Sequence, residues 1–485
     1  VAEQNERTLQ ELFPSSSSPI ENEPLHAELL EVFDDKNRVP TVSVRGDFLY
    51  NFWQDEDHVK GIWRRTTWEE YKKKDPEWET MLDIDALAEK EGKSWVYKGA
   101  RFLCYGPGEY RRADRCLISL SEGGTDACEV REFDAMEKKW VTENPFYIPN
   151  SKHSVCWVDR DTLWVGYDYG EGTMSPSGYP LTTRKWSRGT KLEDATEIFR
   201  GEPTDVSAGG SFYYDKDEKY AMFYRMATFN DIEYYYWFEG DKDLTKVKWI
   251  ASSCRIQTFK KKVLIMPKEV WSFGGKLYKA GSLLSCDFET FVKDCHLDAV
   301  FLGAGAHTVG EEPKCDIQIL YEPANDRCAY EGATDSRDYL YVSSLENLQS
   351  KITVYRFDDA TNAFILEGAH EAENCQTFSV GGAEPNSSNA LFASSSGFLN
   401  PSTYLYSEVG GLKGIKNAQS LKSSTSWFDS EGMSVTLNEA TSKDGTKVPY
   451  FLVRAKGNDE NSGPKPTVLN GYGGFRINSL PSYSG

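Results

Sequence analysis

From about residue 41 to residue 430 the chain alternates short aromatic and β-branched runs with turns of Asp, Gly and Asn, a pattern that predicts many antiparallel strands. Val155-Cys156-Trp157-Val158, the turn Asp159-Arg160-Asp161 and Leu163-Trp164-Val165 read as one hairpin. Phe212-Tyr213-Tyr214 turns through Asp215-Lys216-Asp217 into the run from Tyr220 to Tyr224, and the run from Val270 to Phe273 turns at Gly274-Gly275. The run from Tyr339 to Val342 is set to pair with the run from Ile352 to Phe357. One helical insertion is predicted from Trp78 to Glu89. Residues 1–40 read as helical, with Leu25, Leu29, Leu30, Val32 and Phe33 on one face and Pro24 in a first turn that tolerates it. The stretch from Pro14 to Pro19, with four serines between, marks a break between two helices.

So many hairpins without alternating helices exclude a doubly wound α/β sheet and leave a propeller or a sandwich array. A segment spanning 41–430, at roughly 50 residues per four-stranded blade, makes about seven or eight blades, and a seven-bladed β-propeller is the expected fold. Two β-sandwiches in series would show a polar linker near the middle, and none is found. After about residue 431 the register changes. The run from Met433 to Glu439 reads as a strand, Lys443-Asp444-Gly445 as a turn, and the run from Val448 to Arg454 as a second strand with Pro449 at an edge. A further strand at Val468 then runs into glycines around one tyrosine, Asn470-Gly471-Tyr472-Gly473-Gly474-Phe475, and Pro481-Ser482-Tyr483 follows. Residues 431–485 are therefore read as the start of a further domain.

Composition narrows the function classes. The net charge of −20 is spread along the chain without a basic block, which excludes nucleic acid and anionic membrane surfaces as expected partners. Ten cysteines at irregular spacing, with no C-x-x-C pair, read as reduced core residues of a cytoplasmic protein. The six histidines have no metal-like spacing, and no metal or cofactor is expected. Cys295-His296 are strand neighbours that face opposite sides. Asn386-Ser387-Ser388 is a formal glycosylation sequon of little weight in a cytoplasmic protein. No Gly-x-Ser-x-Gly elbow occurs; Gly209-Gly210-Ser211-Phe212 comes nearest but runs straight into a strand.

The run from Ser442 to Tyr450, then Pro466-Thr467, Gly471-Tyr472-Gly473-Gly474-Phe475 and Pro481-Ser482-Tyr483 together resemble, in order and spacing, the start of the catalytic domain in the prolyl oligopeptidase family of serine peptidases. The run from Gly46 to Asp55, Trp63-Arg64-Arg65-Thr66-Thr67, Ser177-Gly178-Tyr179-Pro180 and Phe398-Leu399-Asn400-Pro401 resemble the propeller of a largely bacterial branch, so the resemblance covers the whole chain. It implies a mainly β fold in which a helical N-terminal segment (1–40) and the first strands of an α/β-hydrolase domain (431–485) flank the propeller (41–430). It also implies that the Ser, Asp and His of the triad follow the tyrosine motif, beyond these residues. By resemblance Tyr472 donates a hydrogen bond to the oxyanion and Phe475 lines the pocket for a proline ring. From the residues alone, Tyr472 is a buried tyrosine bonded to a neighbouring carbonyl and Phe475 a core phenylalanine. The expected activity is hydrolysis of short peptides after proline through an acyl-enzyme, by a monomer whose propeller gates access. A non-catalytic propeller binding module and cleavage after basic residues are the alternatives. Asn470 departs from the family, which is often aromatic there, and bears on the proline preference.

Overall fold

The computed structural model describes residues 2–12, 24–294, 315–458, 463–472 and 478–484. The strands described within 43–83, 95–151, 154–200, 207–246, 255–321, 328–371 and 376–423 form seven separate antiparallel four-stranded meanders, numbered here as blades 1 to 7. Blade 2 carries a fifth strand, Tyr147–Ser151, which pairs with its third strand, Cys128–Asp134. Blade 5 carries a small hairpin, Trp271–Phe273 with Lys276–Tyr278, between its second and third strands.

What makes seven sheets one ring is the sequence of seams between them. Each sheet buries both faces, so its strands read as apolar on both sides of the pleat; Thr162–Gly166 in blade 3 is buried at every residue. Tyr50, Trp63, Trp95 and Phe133 join blades 1 and 2, and Leu117, Val130, Trp157 and Trp186 join blades 2 and 3. The same arrangement repeats through Trp164 and Phe223, Tyr236 and Trp271, Phe259 and Phe357, and Val354 and Leu391. A seventh cluster, with Val44, Leu49 and Tyr71 of blade 1 against Ala383 and Ala390 of blade 7, closes the ring. These seven seams define a seven-bladed propeller.

Hydrogen bonds from buried charged side chains reinforce the seams. The Glu132 carboxylate of blade 2 has no exposed surface, and it accepts two hydrogen bonds from Arg188 of blade 3 (2.8 and 3.0 Å) and one from the Phe146 N–H (2.9 Å). Arg65 of blade 1 donates to the Ala135 carbonyl of blade 2 at 2.7 Å.

The predicted insertion at 78–89 is divided. Glu79–Asp83 is the outer strand of blade 1, and the helix starts after it, Ile84–Glu91. Asp83 explains the switch: its carboxylate caps the helix by accepting from the Ala86 N–H, and Gly92 ends it at φ +64°. At the N-terminus, Ala2–Leu12 and Pro24–Phe33 are helices, and the Pro14 to Pro19 break lies outside the described residues. Among the described residues the apolar face of the second helix meets no core, and Leu25, Leu29, Leu30 and Phe33 are exposed. Of the ten cysteines, Cys116, Cys128, Cys156, Cys254 and Cys286 are buried free thiols, Cys315 is buried, and Cys295 lies outside the described residues. Among the described residues no helix is long and apolar enough to cross a membrane, and no cluster of His, Cys, Asp and Glu is arranged to hold a metal.

Two outcomes test this architecture. Trp68 stacks on Phe392 and Tyr406 across the closing seam, so Trp68→Ala should lower unfolding stability by about 2–4 kcal/mol in denaturant titration. Glu91 accepts a bidentate pair from Arg131 (2.7 and 2.9 Å) and a bond from Trp95 Nε1, and the Arg131 bonds hold its carboxyl below the usual value. Because the folded value is the lower one, its contribution is present above the unfolded value of about 4.3 and is lost as pH falls through the folded one. Glu91→Gln should therefore cost about 1–2 kcal/mol at neutral pH, with the two melting curves converging in acid.

Candidate functional site

In a four-stranded meander successive turns lie at opposite ends of the blade, which gives the ring two distinct faces. One face carries the turns between first and second strands. The other carries the turns between second and third strands, together with the start of each first strand. The C-terminal segments gather on the second face. Ser434–Thr441 and Lys447–Arg454 pair as a hairpin around the turn at 443–446. Its Phe451 ring lies 5.5 Å from Phe398, in the second-to-third turn of blade 7, and Glu439 pairs with Arg327 at the start of blade 6.

The residues around 481–483 dock on the same face. The Thr377 hydroxyl donates to the Pro481 carbonyl (3.2 Å), and the Tyr483 N–H donates to Ser396 Oγ (3.0 Å), both on blade 7. The Tyr483 hydroxyl accepts from the Trp427 N–H at 2.7 Å while its ring stacks on Phe428. Asn478 donates to Glu331 of blade 6 at 2.9 Å. Burial pushes the Glu331 carboxyl above its usual value, and the Asn478 bond opposes that shift.

Tyr472 stands between these two anchored pieces. Its residue surface is 57% exposed, and among the described residues nothing accepts or donates a hydrogen bond at its hydroxyl. The buried tyrosine bonded to a nearby carbonyl is therefore not what is found. Among the described residues the expected strand at Val468 is absent as well: 463–472 form no regular element, and Val468 and Leu469 are 94% and 93% exposed. A strand needs a partner edge for its backbone groups, and the described hairpin does not offer one to this segment. Phe475, Gly473 and Gly474 lie outside the described residues, as do Cys295, His296 and His307.

Sequence reasoning missed how the first face is built. Lys216 in the tight turn of blade 4 is 1% exposed, with its Nζ 2.6 Å from Asp335 of blade 6 and 2.9 Å from Asp215. Asn386 of blade 7 accepts from the Lys216 N–H (3.0 Å) and donates to the Tyr214 carbonyl (3.2 Å). A turn lysine ordinarily signals solvent, so nothing in the local sequence marks this one. The Asn386 sequon is likewise explained by its side-chain geometry, both amide atoms being engaged inside the ring.

The fold is thus a seven-bladed propeller whose C-terminal exit runs into the 434–454 hairpin. Residues 10–255 match the family model of the prolyl oligopeptidase N-terminal β-propeller domain. The chain is 34% identical over 465 residues to an uncharacterized peptidase of Sinorhizobium fredii, covering 94% of this chain and 59% of that protein. It is 28% identical to an uncharacterized peptidase of Rickettsia prowazekii, covering 94% of this chain and 60% of that one. The chain thus belongs to the prolyl oligopeptidase family and spans less than two thirds of the length of these curated relatives. The fold is shared with a post-proline cleaving enzyme from Rickettsia typhi, at TM-score 0.82 and 24% identity, over 99% of this chain and 66% of that one. It is also shared with oligopeptidase B from Leishmania major, at TM-score 0.68 and 15% identity, over 95% and 59%.

Tyr483→Phe should remove the acceptor of the Trp427 N–H and lower stability by about 1 kcal/mol. Tyr483→Ala, which also removes the stacked ring, should lower it by about 2–4 kcal/mol in the same denaturant titration.

Proposed function

We propose that this chain supplies the gate and one oxyanion donor of a serine-type peptidase that hydrolyses short peptides after proline. The carrying observation is Tyr472, whose hydroxyl is unengaged among the described residues, on an exposed segment between two pieces anchored to one propeller face, the hairpin and the residues around Tyr483. The family membership and the peptidase names of its relatives support the reaction class. The proline preference rests on the Gly-Tyr-Gly-Gly-Phe motif, with Phe475 proposed to contact the proline ring.

In this reading the triad lies in the further length that the relatives have. The serine Oγ adds to the scissile carbonyl as the histidine takes its proton, and the carbonyl oxygen becomes an oxyanion that accepts a hydrogen bond from the Tyr472 hydroxyl. The histidine passes the proton to the departing amine, and water then hydrolyses the acyl-enzyme by the same route. A donor aimed at the oxyanion stabilises the transition state more than bound substrate, so its loss appears in kcat. The propeller admits flexible peptides and excludes folded proteins. The buried free thiols suit a reducing, cytoplasmic setting.

The full-length protein should hydrolyse a Gly-Pro amide reporter in preference to an Arg reporter. Tyr472→Phe should lower kcat about 100-fold with KM nearly unchanged. An unchanged kcat would remove Tyr472 from the oxyanion site, and a preference for the Arg reporter would replace proline with a basic residue.

A further inference from the structure

The longest inner hairpin of the ring pairs Ser207–Asp215 with Glu218–Met226 and turns in two residues, Lys216 and Asp217. Blade 4 has blades 3 and 5 as its ring neighbours, yet this turn touches blades 2, 6 and 7. Such contacts can be made only across the central axis. From blade 2, the Tyr110 hydroxyl donates to the Lys216 carbonyl, and Gly106 lies against the Tyr214 ring. A Cβ on Gly106 would come within 2.7 Å of that ring, and its φ of +87° also suits glycine. From blade 6, Asp335 holds Lys216 Nζ, and Arg337 donates to Asp217 (2.6 Å) and to the Asn386 carbonyl (2.7 Å). From blade 7, the Asn386 side chain clamps the entering side of the turn, at the Tyr214 carbonyl and the Lys216 N–H.

The neighbouring blade repeats the device. Lys260, in the equivalent turn of blade 5, is also buried with positive φ, its carbonyl accepts from the Tyr220 hydroxyl, and its Nζ reaches Asp338 (2.9 Å) and Asp359 (3.0 Å) of blade 6. A buried ammonium is stable only where carboxylates and ring faces replace its water; Lys216 has Asp215, Asp335 and the Phe259 ring at 4.4 Å. Four blades thus converge on one turn.

We propose that the Asp215-Lys216-Asp217 turn is a plug that seals the axial channel at the face opposite the 434–454 hairpin, so that peptides reach the interior from the hairpin side alone. The seal stands on these contacts, while its role in selecting substrates rests on the peptidase reading above. Lys216→Gly suits the test, because φ of +55° favours glycine and the turn persists without its side chain. Asn386→Ala is the second variant, cutting the cross-ring clamp while leaving the Lys216 ion pairs in place.

Hydrogen exchange on the 485-residue chain reads the seal directly. In the wild type, the amides of 214–218 should be protected far beyond those of the exposed 443–446 turn, and either variant should speed their exchange about tenfold or more with the overall melting transition retained. A wild-type tip that exchanges as fast as 443–446 overturns the plug. In the full-length protein, the variants should cleave a long unstructured peptide severalfold faster while the rate on the Gly-Pro reporter stays unchanged. A loosened tip with an unchanged long-peptide rate overturns the role in access. Should the full-length wild type cleave neither substrate, the peptidase reading fails and the exchange measurement alone decides the plug.

Discussion

The structure depends on closing a ring without sharing a strand between its ends. Among the described residues, blade 1 is built wholly from 43–83 and blade 7 wholly from 376–423, so no backbone ladder joins them. The other six seams also rest on side chains, but they join blades that follow each other directly in the chain. At the seventh, aromatic rings must supply what connectivity supplies elsewhere. Trp68 against Phe392 and Tyr406, Tyr71 packed with Ala383 and Ala390, and Lys422 reaching the Lys74 carbonyl at 3.1 Å do so. The cross-axis contacts of blade 4 add a second brace, linking opposite sides of the ring through its centre.

Charge is used differently inside this molecule than its overall balance suggests. A net −20 reads as a solvated acidic surface, and much of it is. Yet Glu132, Asp215 and Asp335 are drawn into seams or toward the axis, each matched to a cation from another blade or from the turn itself. Breaking one partner leaves an uncompensated buried charge, which is more damaging than the pair is helpful. Two of them, Glu132 with Arg188 and Asp335 with Lys216, tie one blade to another.

The blades were legible because each is a local object. Alternation and turn chemistry specify a hairpin within about a dozen residues, and Trp271–Phe273 with Lys276–Tyr278 formed around Gly274-Gly275 as the pattern implied. Where a segment's fate depends on distant partners, the local signal misled or fell silent. Glu79–Asp83 looked helical because its neighbours are, but the open edge of blade 1 takes it as a strand. Val468 looked like a strand and has no edge to join. Tyr472 was found through its motif, and its exposure is a matter of what surrounds it, which no motif encodes. Lys216 and Asn386 sit 170 residues apart and carry no mark of their meeting.

The closing seam also sets a schedule for biosynthesis. Lys73 and Lys422, which meet there, are 349 residues apart. At translation rates of roughly 5–20 residues per second, blade 1 leaves the ribosome about 20–70 s before its partner exists. Through that interval Trp68, Tyr71 and Val44 present a bare aromatic flank, so the nascent chain must be shielded or kept dilute until the last blade arrives.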